Sequence, residues 1–129
     1  MSSSKIVLIV SDGTEKTVKM AQKINGALKN CKVIIKTASE YTGTDLLPAD
    51  VLFIGCEEPS PPGFGYIDVM LQHINLAGRS CGVFSPSSKN AIQYLNNMLK
   101  SSEIKVCPQP LIEENSSDVE KWAARVISF

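Results

Sequence analysis

Apolar runs rich in β-branched residues alternate along this chain with stretches whose apolar residues recur every three or four positions. Lys5–Val10 (KIVLIV) shows no polar alternation, as a strand buried on both faces requires. It runs into Ser11-Asp12-Gly13, a turn cluster, after which Thr14 is a candidate N-cap with Glu15 in the first helical turn. Val18, Ala21, Ile24 and Leu28 then mark an amphipathic helix over Glu15–Leu28. Lys32–Thr37 (KVIIKT) predicts a second strand, and the irregular stretch Ala38–Asp50 has room for about one helical turn near Asp45–Leu47.

The pattern continues to the end of the chain. Val51–Cys56 (VLFIGC) predicts a third strand, followed by Glu57-Glu58-Pro59-Ser60-Pro61-Pro62-Gly63, a loop whose prolines exclude regular pairing. Ile67, Met70, Leu71 and Ile74 predict a helix over Tyr66–Leu76, and Arg79–Ser85 (RSCGVFS) a fourth strand closed by Ser85-Pro86-Ser87-Ser88. A third long helix covers Lys89–Lys100, with Ile92, Leu95 and Leu99 on one face. Ile104–Cys107 is a fifth strand that stops at Pro108 or resumes briefly at Leu111-Ile112. Ser117-Asp118-Val119-Glu120 reads as a capping box opening a last helix, with Val119, Trp122, Ala123, Val126 and Ile127 inward.

Alternating apolar strands and amphipathic helices imply an α/β fold, a parallel sheet covered on both faces. With right-handed crossovers, the economical arrangement is a three-layer, doubly wound, five-stranded sheet. A ligand of such a sheet sits beyond the carboxyl ends of the strands. That rule points to Ser11–Thr17, Cys56–Tyr66 and Ser85–Lys89 before any motif is considered.

A length of 129 residues fits one domain, residues 1–129. The 13 Lys+Arg balance the 13 Asp+Glu, so no global field favours nucleic acid as a partner. The apolar runs fall far short of the roughly 20 residues that span a bilayer, and the start of the chain lacks the apolar core of an export signal. Cys31, Cys56, Cys81 and Cys107 show no CxxC spacing; they read as reduced thiols acting as small apolar residues, in a cytoplasmic protein. His73, the one histidine, lies on a predicted helix away from the strand ends and reads as a surface or boundary residue.

The segments KIVLIVSDGTEKTVKMAQKI, LLPADVLFIGC and RSCGVFSPSS, the short second crossover and the final helix with Trp122 together resemble the short-chain flavodoxins over nearly the whole length. The resemblance implies strand order 2-1-3-4-5 and a non-covalent FMN used for one-electron transfer between protein partners. It implies a monomeric carrier, neither a catalyst with its own substrate nor a membrane protein. The cofactor-binding residues it suggests are Ser11, Asp12, Gly13, Thr14, Glu15, Lys16 and Thr17 in the phosphate loop. Glu57, Glu58, Pro59 and Phe64 would follow the third strand, and Ser85, Pro86, Ser87 and Ser88 the fourth. No catalytic residue and no metal ligand is implied.

The phosphate loop departs from the family pattern. Thr14 and Thr17 match its hydroxyls, but Glu15 stands where the family usually has glycine, Asp12 adds a second acid, and Lys16 offsets one charge. Two unit charges about 6 Å apart repel by roughly 3 kcal/mol at an effective dielectric of ~20. The effect of Glu15 therefore depends on whether it faces the phosphate or solvent. The same residues also suit a plain helix cap. Aromatic faces for a flavin ring are sparse: Phe64, between two glycines, is available either to cover a ring or to anchor a helix.

The neutral chain lacks the acidity of many flavodoxins, though Asp12, Glu15, Glu57 and Glu58 would surround the flavin. A receiver domain would need clustered acids after the first strand and a Lys ending the fifth, where Pro108 stands instead. A small tyrosine phosphatase would need an Arg a few residues after its Cys. Neither pattern is present. The alternative that remains is a flavodoxin-like interaction module that has lost FMN.

Overall fold

The computed structural model describes residues 5–86, 89–112 and 116–129, with side chains left out for 116–118. Six strands form one parallel sheet among the described residues: β1 (Ile6–Ser11), β2 (Lys32–Thr37), β3 (Val51–Gly55), β4 (Ser80–Ser85), β5 (Lys105–Val106) and β6 (Leu111–Ile112). Their order is β2-β1-β3-β4-β5, with β6 also pairing β4. The helices are α1 (Glu15–Ala27), the single-turn α2 (Gly43–Leu46), α3 (Phe64–Leu71), α4 (Lys89–Leu99) and α5 (Ser116–Ser128), with a 3₁₀ turn at Lys100–Ser102. This is the doubly wound, three-layer α/β fold with strand order 2-1-3-4-5.

The layers follow from the pleat. Leu8, Val10, Leu52 and Ile54 face a buried cluster with Ile67 and Leu71 of α3 and Ala91, Leu95 and Leu99 of α4. Val7, Ile9, Val51 and Phe53 face the opposite cluster, with Met20, Ala21 and Ile24 of α1 and Trp122, Ala123 and Val126 of α5. Successive side chains of a strand point to opposite faces, so a run with no polar alternation feeds two cores at once. Each such side chain contributes about 1.5–3 kcal/mol through burial.

The fifth position of the sheet is shared by two short strands. Val106 pairs with Cys81, and Cys107 N–H still donates to the Cys81 carbonyl at 2.8 Å. Pro108 and Pro110 then interrupt the ladder, since proline has no N–H to give. Pairing resumes at Phe84↔Leu111 and Ser85↔Ile112. Of the two expectations for this segment, the brief resumption holds.

Most boundaries lie within a residue of expectation, and the larger differences are at the two ends of α3 and the start of α5. α3 begins at Phe64 rather than Tyr66, because Gly63 takes φ 89° and turns the proline loop into the helix two residues earlier. It ends at Leu71 rather than Leu76, where Leu76 N–H is drawn instead to the Ser102 carbonyl at 2.6 Å and Asn75 Oδ1 accepts from Ala77 N–H. His73 therefore sits past the helix, exposed. α5 already contains Ser116 and Ser117, so Ser117 does not precede the helix; the side chains of Ser117 and Asp118 lie outside the described residues.

Candidate functional site

The sheet order reverses between β1 and β3. Both strands lie side by side with Ser11 opposite Gly55, yet β1 runs on into α1 on one face and β3 into α3 on the other. The connections diverge, and a mouth opens beyond the strand ends. The loops 11–14 and 56–63 flank it, with Ser85–Pro86 beyond β4 on the next strand.

The first loop turns at Gly13, whose φ of 85° favours glycine, and enters α1 at Thr14, whose carbonyl accepts from Val18 N–H at 2.9 Å. Thr14 thus holds the N-cap position by its backbone, but its hydroxyl does not cap the helix. Thr14 Oγ1 instead lies 2.7 Å from Asp12 Oδ1 and 2.8 Å from Oγ1 of the fully buried Thr17. The N–H groups of Glu15, Lys16 and Thr17 have no acceptor on the chain among the described residues, as the first turn of a helix dictates.

Asp12 spans the mouth. Its Oδ1 accepts from Thr14 N–H at 3.0 Å, and its Oδ2 accepts at 2.8 Å from the N–H of Glu57, 45 residues away. Glu15 points along the outside of α1 and pairs with Lys19 at 3.4 Å, both side chains well exposed. Of the two acids in the phosphate loop, Glu15 faces solvent and Asp12 faces the site.

Most of the remaining residues gather around this point. Ser11 is buried, and its Oγ is 3.4 Å from Gly13 N–H. Glu57 is half-buried, while Glu58, Pro59 and Lys16 are exposed. Ser60, with φ 54°, bends the proline loop through left-handed backbone. Ser85 is buried and Pro86 half-buried, whereas Ser87 and Ser88 lie outside the described residues. Phe64 is set apart: it is fully buried beneath α4, its ring 6.5 Å from Tyr94, and it anchors the start of α3 without presenting a face to the mouth. Cys56, just beneath the Asp12–Glu57 contact, is buried, and burial with the charges of Asp12 and Glu58 pushes its thiol up to about 12.

Sequence reasoning missed the Glu57 main-chain donor, which has no side-chain signature. It also missed Thr37 at the end of β2, whose N–H and hydroxyl bind Glu40 Oε1, each at 3.1 Å. These hydrogen bonds hold the exposed Glu40 carboxyl below the usual range. The Thr37 side chain closes the side of the mouth against Gly13, a Cβ at which would lie 3.8 Å from the Thr37 methyl.

The donors at the first turn of α1 suit a phosphate: three main-chain N–H groups at the positive end of a helix, with the exposed Lys16 on the same turn. The Asp12 carboxylate does not suit one. It already holds Thr14 N–H and its hydroxyl, and it brings a negative charge to the same point.

No family profile matches the sequence, and no curated protein is significantly similar to it. Solved structures do match, along nearly the whole chain. A short-chain flavodoxin associated with a non-canonical PDU bacterial microcompartment superposes with a TM-score of 0.83 at 16% identity, covering 97% of each chain. A Fusobacterium nucleatum flavodoxin bound to flavin mononucleotide superposes at 0.77 with 14% identity, covering 95% of this chain and 96% of that one. The rubredoxin oxygen:oxidoreductase of Desulfovibrio gigas superposes at 0.79 with 14% identity, over 96% of this chain but 35% of that one. The chain therefore has the flavodoxin-like fold, which occurs both as a free flavodoxin and as part of a larger enzyme. No helix among the described residues is long and apolar enough to cross a membrane.

Proposed function

We propose that the chain is an FMN-binding, one-electron carrier of the flavodoxin type, a cytoplasmic monomer that serves redox protein partners and has no substrate chemistry of its own. The observation that carries this reading is the acceptor-free first turn of α1, placed at the switch point of the sheet with Lys16 and the buried Thr17. The fold match to a flavodoxin bound to flavin mononucleotide supports it. A bound flavin would supply the redox chemistry. The chain's own residues hold the phosphate end through Glu15, Lys16 and Thr17 N–H, and surround the ring with the acids Glu57 and Glu58. Those acids disfavour added negative charge, lowering the potential of whatever flavin sits beside them.

A second reading is a flavodoxin-like interaction module without FMN. Asp12 beside the phosphate donors favours it, as does the lack of an aromatic side chain in Glu57–Gly63. The two readings separate in one titration: adding the purified protein to FMN and following flavin fluorescence. The carrier reading expects saturable quenching below about 100 µM protein; a flat trace at that concentration leaves the interaction module standing.

A further inference from the structure

Asp12 makes three hydrogen bonds, and all three come from donors at the mouth: Thr14 N–H, the Thr14 hydroxyl, and Glu57 N–H on the opposite loop. Among the described residues no Lys, Arg or His lies within ion-pair distance of it; Lys19, the cation of the ion pair on α1, is committed to Glu15. The carboxylate is thus balanced by main-chain and hydroxyl dipoles at a helix start, the surroundings a bound phosphate would itself require. It also ties the β1 loop to the β3 loop through Glu57 N–H.

We infer that Asp12 is a fixed anion beside the phosphate position, offsetting the free N–H groups of the first turn so that FMN is held little more tightly than riboflavin. This rests on the reading that the mouth takes a flavin. A phosphate arriving at the first turn of α1 meets a fixed negative charge and finds two of the local donors taken. At an effective dielectric of ~20, a unit charge brought within about 6 Å of Asp12 loses on the order of a hundredfold in affinity, which opposes what the first-turn N–H groups contribute. The flavin would be held by its ring and ribityl chain and would exchange freely. Asp12 is accordingly a specificity residue, selecting against the dianion rather than binding it.

The test compares wild type with Asp12→Asn and Asp12→Ser, each checked for a cooperative thermal transition. Asparagine removes the charge and keeps one acceptor; serine keeps a hydroxyl for Thr14 N–H and frees Glu57 N–H. Dissociation constants for FMN and riboflavin come from fluorescence quenching, and binding of inorganic phosphate at about 10 mM is read from ³¹P line width. The inference expects wild-type constants for the two flavins within about threefold of each other, and FMN tightened tenfold or more in both variants with riboflavin nearly unchanged. It is overturned if wild type prefers FMN by about a hundredfold, or if neither variant changes the FMN-to-riboflavin ratio. If no protein binds either flavin, the carrier reading falls, and phosphate decides the role of Asp12. Phosphate binding gained only in the variants sustains it; no gain overturns it.

Discussion

Replacing Gly55 by alanine tests how the core positions the mouth. Gly55 ends β3, opposite Ser11 on one side and Phe84 on the other. A Cβ there would press into the edge of the Phe84 ring, with Cζ only 2.6 Å away. Phe84 is fully buried in the α1/α5 core beside Phe53 and Trp122, which are themselves in edge contact at 5.3 Å between centroids, so the ring has little room to swing. Overpacking of this kind costs about 1–3 kcal/mol. With a urea slope of about 2 kcal/mol/M, the unfolding midpoint should fall by roughly 0.5–1.5 M. Phe84→Leu removes the ring, so in that background Gly55→Ala should cost less than half as much. An equal cost in both backgrounds, or a cost below about 0.5 kcal/mol, would refute the reasoning. Because Cys56 and Glu57 follow directly, the same variant should also disturb the Asp12–Glu57 contact and weaken flavin binding.

Further outcomes follow from particular side chains. Glu57→Gln with Glu58→Gln should raise the midpoint potential of bound flavin by tens of millivolts, on the order expected for removing two nearby charges; no upward shift counts against flavin at this mouth. The Cys56 thiol, pushed from 9.0 to about 12 by burial, stays protonated in the fold while the unfolded chain ionises. Stability is therefore intact below pH 9 and falls as pH rises from 9 towards 12, by about 1.4 kcal/mol per unit for this group. Urea titrations of wild type and Cys56→Ala at pH 9 and above should differ in that slope. Trp122→Phe removes the 2.7 Å bond from Nε1 to the Gln109 carbonyl in the connection between β5 and β6 and should cost about 1–2 kcal/mol in the same assay.

The architecture was legible because strand pleat and helix period leave strong marks. IVLIV, VLFIG and SCGVFS can be buried on both faces only as interior strands, and the helices between them expose one polar side each. Pro108 is legible too, as a proline in a sheet position that breaks the ladder before pairing resumes at Leu111. What the sequence hid was main-chain geometry. The early start of α3 depends on Gly63 adopting φ 89°, and its early end on Leu76 N–H finding a carbonyl 26 residues on. Of the two acids read in the loop after β1, Asp12 turns towards the mouth and Glu15 towards solvent. Both residues lie in one loop, and the difference is decided by Lys19 one turn along α1 and by a main-chain donor on a different loop. Phe64 shows the same limit: its place between two glycines left it open to cover a ring or anchor a helix, and the space under α4 makes it the anchor.

The most direct test of the account follows main-chain amide signals of ¹⁵N-labelled protein as FMN is added. Flavin at the switch point predicts that the largest changes fall at Gly13, Glu15, Lys16, Thr17, Glu57 and Glu58. Changes centred elsewhere, such as the groove between Pro108 and Arg125 beside Trp122, or none at saturating FMN, would contradict it.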